Sequence, residues 1–477
     1  MWWLIPVALL VAFFAFILIR AILFTPKKQI EASNEEITFD TKRAAECLKE
    51  LVTCKTISYF DSSLEDDKEF KKLIKKLPKL YPNLFKNATF TEFPDRAILL
   101  HIKGKNNGDP AVFMSHYDVV PVLEEGWEKP PFEGVIEDGV LWGRGTLDTK
   151  VTMNGALFAA DHLLANGFVP ENDMYFAFSG NEEVNGKGAV NIVEYFYENG
   201  ITPSLVIDEG GAVVENVFPG VKGACALIGI AEKGMLNAEY SVESLGGHAS
   251  APKPNAPIDR LSKACCKVLA NPFKSHITPP VAKMFDTLGR HSTFLYRMIF
   301  SNLWLFKPVL DILCKLQGGE LNALMRTTVA FTQMEGSNAP NVIPPRAKMV
   351  SNMRLNPNDT VDSAVEYLRK TVGDDKVEIV ATNGINPSRI STTDCEGYEK
   401  IASAIASTWK GSLVSPYLMV QCSDSRHYGK ISDKVYRFSA MDLTSEERAT
   451  IHGHNERIRL DALNRSVEFY IRLLKQC

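Results

Sequence analysis

The stretch Leu141–Lys150, LWGRGTLDTK, sets a carboxylate, Asp148, directly after a Gly-Arg-Gly turn. Upstream of it, AVFMSHYDVVPV (111–122) is a continuous apolar run ending in polar residues. That is the pattern of a strand buried on both faces of a sheet, with its chemistry at the C-terminal end. Downstream, DMYFAFSG (173–180) and LVIDEGG (205–211) read as further strands. Between them lie two helical patterns, VTMNGALFAADHLLANG (151–167), which Gly167 stops, and AVNIVEYFYENG (189–200). A strand–helix alternation of this kind predicts an α/β fold with a mostly parallel sheet.

After Lys233 the pattern changes. MLNAEYSVES alternates like a half-exposed strand, and a helix (257–271), strands (327–337 and 347–355), a helix (360–372) and a strand (376–383) follow. This β-α-β-β-α-β order predicts a small α+β domain with an antiparallel sheet, inserted as a lid or dimerisation unit. A further insertion at about 272–325, rich in Phe, Leu and Trp, is expected to pack as helices on the core or on a partner subunit. From Ser388 the first pattern resumes. The expected division is therefore an anchor (1–24), a stalk (25–43), a catalytic domain in two parts (44–233 and 387–477) and the inserted domain (234–386).

The N-terminal segment differs in kind. Trp2–Phe24 is apolar apart from Arg20, and about 20 such residues suffice to cross a bilayer. No Lys or Arg precedes the run, and Thr25-Pro26-Lys27-Lys28 is a poor cleavage site, so a single-pass anchor is favoured over a secretory signal. The basic residues on its C-terminal side lean the rest of the chain toward the cytoplasmic face. The sequons at Asn87, Asn358 and Asn464 keep a luminal or extracellular placement as the alternative. A net charge of −4 with no basic run excludes a nucleic-acid partner. Nine cysteines without a CxxC pair point to free thiols rather than a disulfide framework.

Four clusters fall just after predicted strands: His116-x-Asp118, Asp148, Glu182-Glu183 and Asp208-Glu209. Singly, each reads as a solvated loop or a helix cap. Jointly, at one sheet edge, they suit zinc, with manganese or cobalt as substitutes, and a carboxylate bridging two ions. A late histidine from IHGHNERI (451–458), either His452 or His454, completes the set.

Taken together, HxDVVP, the PPF…GRGTLD segment, GNEEVNG, IDEGG, GGHAS and IHG-x-NE resemble the zinc-dependent aminoacylase and carboxypeptidase metallopeptidase family. The similarity is greatest to the branch containing carboxypeptidase S and the N-acyl-amino-acid hydrolase/synthase enzymes, and it covers the chain from residue 40 to its end. The resemblance implies two Zn2+ per chain, with His116 and Asp208 on one, Glu183 and His452 on the other, and Asp148 bridging. It also implies Asp118 as the carboxylate that orients the imidazole of His116. Glu182 becomes the general base, moving a proton from water to the leaving amine. His248 is implied as oxyanion partner, reaching the site of a second subunit in a homodimer, and Asn341 and Arg354 as holders of the substrate carboxylate. Thr149 stands where relatives often carry a second acid that is not a ligand.

The expectation is a membrane-anchored dizinc hydrolase cleaving an amide bond beside a free carboxylate, in a peptide or an N-acyl amino acid, with synthesis as the reverse reaction. The rival is a non-catalytic membrane-anchored binding protein on the same fold, which predicts a lost ligand or base.

Overall fold

The computed structural model describes residues 4–477; Trp2 and Trp3 of the expected membrane segment lie outside the described residues. The large sheet has eight strands. In spatial order they are Thr89–Phe93, Ala97–Ile102, Met174–Ser179, Ala111–His116, Leu205–Glu215, Val435–Asp442, Ala224–Glu232 and Leu413–Met419. The four strands from Met174–Ser179 to Val435–Asp442 are mutually parallel, as the buried apolar runs predict.

The sheet as a whole is mixed, which corrects the expectation of a mostly parallel one. Thr89–Phe93 and Ala97–Ile102 add antiparallel strands at one edge. Ala224–Glu232 runs against both Leu205–Glu215 and Val435–Asp442. The chain there reverses over 216–223 instead of crossing by a helix, so its next strand can only return antiparallel.

The helix Lys150–Ala165 is buried on nearly every side and starts immediately after Asp148, so its packing fixes that carboxylate. It lies against the C-terminal helix Leu460–Leu474, and a Cβ on Gly155 would meet the Tyr470 ring at 2.8 Å and Ser466 Oγ at 2.9 Å. The helix therefore needs glycine where the two backbones approach most closely. Lys150 is itself fully buried. Its ammonium donates to the carbonyls of Leu51 (3.1 Å) and Cys54 (2.7 Å), closing the C-terminal end of the helix Thr41–Val52.

A separate four-stranded antiparallel sheet is formed by Thr328–Glu335, Arg346–Leu355, Gly234–Glu243 and Glu378–Ile385. The helices Pro257–Ala270 and Val361–Val372 share its apolar core. A two-residue ladder, Gly247–His248 against Val342–Ile343, projects from it.

The 272–325 segment forms the helices Pro279–His291, Phe294–Ser301, Leu303–Gln317 and Gly319–Met325. They pack on this chain's own large sheet. Val281, Met284, Phe285 and Leu288 cover the edge strand Leu413–Met419 and share a core with Val214, Leu227 and Phe218. An edge strand covered in this way is closed to pairing with another chain. All nine cysteines are free thiols.

Phe285 is central to that cover, with ring centroids 5.8 Å from Phe218 and 5.2 Å from Phe300. Phe285→Ala is expected to lower stability by ~3–5 kcal/mol through the lost burial and the cavity left behind. Denaturant titration in detergent measures it; a loss below ~1 kcal/mol would mean the insertion is not part of the core.

Candidate active site

His116 closes its strand and pairs in register with Ser179, the last residue of the neighbouring strand. The Glu182–Val184 turn follows at once, which brings Glu182 and Glu183 to the same edge. Asp118 is fully buried behind them. Its two carboxylate oxygens accept the backbone N–H groups of Glu182 (3.1 Å) and Glu183 (3.2 Å). The nearer partner of His116 Nδ1 is the main-chain carbonyl of Asp118 at 3.0 Å, with the carboxylate at 3.4 Å. Asp118 therefore orients the ring chiefly through its backbone and uses its side chain to fix the turn that carries the two glutamates.

A carbonyl can only accept, so His116 Nδ1 carries the hydrogen and Nε2 faces the acids. Asp148 Oδ1 is 3.0 Å from that Nε2 and Glu209 Oε1 is 3.5 Å from it. The other oxygen of Asp148 lies 2.9 Å from His452 Nε2, which is 3.3 Å from Glu183 Oε2. One carboxylate is thus shared between two imidazoles. His452 sits at φ +61, a conformation uncommon for a side chain other than glycine and one that recurs at functional sites. His454 points elsewhere, against Gly126.

The resemblance implied Asp208 as the ligand of the Asp208-Glu209 pair; in the structure Glu209 is the one that comes within 3.5 Å of His116 Nε2. Asp208 pairs opposite Arg437, and the register resumes at Gly211 opposite Phe438, leaving Glu209 and Gly210 in a bulge. Successive side chains on a strand point to opposite faces, and a bulge re-aims one of them. Glu209 is turned to His116, whereas Asp208 Oδ2 accepts the Ser425 N–H at 3.0 Å. Gly210 sits at φ +141, and a Cβ there would stand 2.7 Å from Arg437 Cβ, so the bulge favours glycine.

Burial shapes the ionisation of the cluster. It pushes Glu182 well above the usual carboxylate range; His116 pulls it down, and Asp424, Glu209 and Glu183 push it further up. Glu209 is pushed up to about 8, again chiefly by burial, with Asp148 adding to the rise and His116 opposing it. Burial would raise Asp148 too, but its hydrogen bonds to His116 and His452 hold it far below its ordinary value. Those same contacts lift His452 to about 10. Glu183 Oε1 is buried without a hydrogen-bond partner, which is costly for a carboxylate unless a cation meets it.

Glu456, which the motif IHG-x-NE contains but to which sequence gave no role, organises this region. It is fully buried. Its Oε1 accepts from the N–H groups of Gly145 (3.0 Å), Leu147 (2.7 Å) and Asp148 (3.2 Å), and Arg144 Nη1 donates to its Oε2 at 2.6 Å. Two further residues were missed, both in CSDSRHYG: Asp424, which accepts from Ser179 Oγ, and Arg426, whose Nη1 is buried without an acceptor.

The remaining sequence candidates lie apart from the cluster. Arg354 reaches the rim, with Nη1 3.4 Å from Cys422 Sγ. His248 is exposed, its Nδ1 on Ser250 Oγ at 2.7 Å. Asn341 lies beside it in the small ladder, its carbonyl accepting the Ala249 N–H. A cavity of about 670 Å3 is lined by Asp148, Glu182, Glu183 and Glu209, by the apolar side chains of Leu227, Met419, Met441 and Ile451, and by Glu320 and Arg448.

The acid and imidazole cluster lies at the carboxyl edge of an α/β sheet and shares one carboxylate, and its family makes the chain a metallopeptidase-type amidohydrolase. The chain belongs to peptidase family M20/M25/M40, whose profile matches residues 112–476. It is 33% identical to the probable carboxypeptidase S-like 2 of Dictyostelium discoideum, over 98% of this chain and 92% of that one. It is 36% identical to the N-fatty-acyl-amino acid synthase/hydrolase PM20D1 of Xenopus tropicalis, over 77% and 72%. Among solved structures the fold matches the M20 metallo-carboxypeptidase Sso-CP2 of Sulfolobus solfataricus, with a TM-score of 0.65, 21% identity and 91% and 98% coverage. It also matches human carnosine dipeptidase 1, with a TM-score of 0.62, 16% identity and 91% and 96% coverage.

Glu456→Gln is expected to cost ~3–5 kcal/mol, because it leaves the buried Arg144 guanidinium without its counter-charge. Denaturant unfolding of the two proteins side by side measures this, and equal stability would remove Glu456 from its organising role.

Proposed function

We propose that the chain is a dinuclear-metal amidohydrolase acting on N-acyl amino acids, cleaving the amide beside a free carboxylate. The observation that carries this reading is a carboxylate shared between two imidazoles in a cavity that is also lined by Leu227, Met419, Met441 and Ile451. Relatives named as carboxypeptidase and as N-fatty-acyl-amino acid synthase/hydrolase support it.

The residues fit a pair of divalent cations, zinc in our reading, with cobalt or manganese as substitutes. His116, Asp148 and Glu209 form one donor set and His452, Asp148 and Glu183 the other, and the unpartnered Glu183 Oε1 is a natural ligand atom. When bound, such a pair polarises the scissile carbonyl and acidifies water. Glu182, raised by burial and lying beside His116 and Glu209, takes the proton of the attacking water and delivers it to the leaving amine in this reading. Asp118 holds Glu182 at that position through its backbone N–H.

Arg354 Nη1 lies 3.4 Å from Cys422 Sγ at the cavity rim, and Arg426, four residues after Cys422, has a buried Nη1 without an acceptor. They form a paired anchor for the substrate carboxylate, in which the free donors of Arg426 find an acceptor. Asn341 and His248, carried on the ladder of the small domain, complete the site on lid closure or from a second copy. Residues 234–386 then act as the lid, and 44–233 with 387–477 as the catalytic domain. The apolar helix Leu4–Leu23, 20 residues long, serves as the membrane anchor. The reverse reaction, condensing a fatty acid with an amino acid and releasing water, uses the same groups.

Two tests follow from the assigned roles. Glu182→Gln is expected to keep roughly two metal ions per chain while kcat falls by about 10²–10⁴; lost metal with lost turnover would place Glu182 among the ligands. Glu209→Ala is expected to lower metal content measured by mass spectrometry, whereas Asp208→Asn keeps it; the opposite result would reverse the assignment.

On a series of N-acyl amino acids, kcat/KM is expected to rise with acyl length, by at most ~0.8 kcal/mol per methylene. Preference for C-terminally free dipeptides over every acyl chain would make the enzyme a peptidase instead.

A further inference from the structure

The C-terminal half of the N-terminal helix is built into the fold. Ile17 and Ala21 are buried, Ala21 completely. Asn302 Nδ2 donates to the Ile17 carbonyl at 3.2 Å, and Arg297 donates to the carbonyls of Ala21 (3.1 Å) and Phe24 (3.0 Å). Arg20 returns the contact, donating to the Ser301 carbonyl at 2.6 Å. Every one of these partners belongs to the insertion. The carbonyls that end the helix, and the one charge within it, are therefore satisfied by protein.

The contact also reaches along the helix. The Phe13 ring meets Trp304 edge-on at 6.2 Å. Phe13 stands ten residues before Leu23, so Trp304 lies about 15 Å up the helix from its C-terminal end, half of a hydrocarbon core about 30 Å thick.

The insertion helices turn one apolar face inward and another outward. In Leu303–Gln317 the buried residues are Leu310 and Cys314. On its other side Trp304, Val309, Ile312, Leu313 and Leu316 are exposed, Trp304 at 57% and Leu316 at 79%. Leu295, in the preceding helix, is exposed at 61%. Between Arg290 and Gln317 the chain carries four basic side chains, Arg290, Arg297, Lys307 and Lys315, against one acid, Asp311. Arg290 pairs with Asp286, Lys315 with Asp311, and Arg297 serves the N-terminal helix, so the outward face itself is an apolar stripe, the surface of a helix that lies against lipid. This one is continuous with the apolar surface of Leu4–Leu23.

We propose that the outer face of the insertion helices Phe294–Ser301 and Leu303–Gln317 docks into the lipid leaflet that the N-terminal helix crosses. The enzyme then holds the bilayer by two elements. The inference rests on reading Leu4–Leu23 as a span and extends it to a second surface. Its functional consequence follows from connectivity: Gly319, Glu320 and Ala323, immediately after the docked helix, line the site cavity. The cavity wall is therefore coupled to the leaflet in which an acylated substrate partitions.

The test uses the full chain reconstituted in phosphatidylcholine vesicles that contain a phosphatidylcholine with a photoreactive group on its acyl chain. After illumination, lipid adducts are mapped by peptide mass spectrometry. Adducts on both 4–23 and 303–317 are expected. In Ile312→Asp/Leu316→Asp the adducts on 303–317 are expected to fall at least about tenfold. Those on 4–23 and the hydrolysis of a short-chain soluble substrate in detergent remain, which shows that the variant is folded.

Adducts confined to 4–23 would overturn the docking surface. Adducts on 303–317 with none on 4–23 would keep it and overturn the anchor. If 303–317 stays unlabelled while Leu313→Cys chains in a Cys266→Ser background cross-link in pairs, a second copy covers the face and the proposal fails.

Discussion

A single buried anion, the carboxylate of Glu456, sets the geometry on which the site depends. It gathers three consecutive-turn N–H groups of the Gly145–Asp148 segment and the guanidinium of Arg144. Because Glu456 lies four residues after His452, the same clamp that aims Asp148 also brings His452 to it. A charge with so many donors is satisfied without solvent. The loop therefore tolerates the left-handed backbone of His452 and Asn455. Lys150 adds a second buried charge on the other side of Asp148, tied to the end of the helix Thr41–Val52. The backbone that carries Asp148 is thus held on both sides.

The cluster itself is built against electrostatic preference. Asp148, Glu182, Glu183 and Glu209 crowd around two imidazoles, and burial pushes most of them toward their neutral forms. Ionising all four acids against two imidazoles would leave an excess of negative charge, which is why burial opposes it. The cations proposed above relieve that excess, so the energy stored in crowding the acids becomes affinity for metal. Asp118 makes the crowding possible by spending both oxygens on the backbone of the Glu182–Glu183 turn.

Much of this was legible in the sequence, for a physical reason. Strands buried on both faces leave uninterrupted apolar runs, and the polar residues at their ends mark one sheet edge, so His116, Asp148, Glu182, Glu183 and His452 were found together. Asp208 against Glu209 was not decidable that way. Two adjacent acids at a strand end differ only in which face they take, and that is set by a bulge whose register depends on Arg437 and Phe438, more than two hundred residues away. Glu456 was equally hidden, since a buried glutamate that clamps backbone amides looks in sequence like any surface acid. The strand Ala224–Glu232 escaped because nothing local distinguishes an antiparallel return from a parallel crossover. His248 and Asn341 could be placed on one ladder only by the fold, and the fold holds them away from the cluster within one chain.

The insertion ties these levels together. Its inner face is ordinary core, covering the exposed edge of the sheet with Phe285 and its neighbours. Its end supplies cavity wall, and its beginning receives the carbonyls of the N-terminal helix. A segment with only a structural task would gain nothing from an outward stripe of Trp304, Ile312, Leu313 and Leu316, which costs solubility in water. On the proposed docking, lipid replaces water on that side. A bilayer-docked insertion also explains why Arg20 sits within an otherwise apolar helix: at that depth the Ser301 carbonyl is its acceptor, and the pair fixes the rotation of the helix against the enzyme. The anchor, the insertion and the site cavity then form one continuous unit, in which the position of the active site relative to the membrane is set by packing rather than by the length of a flexible stalk.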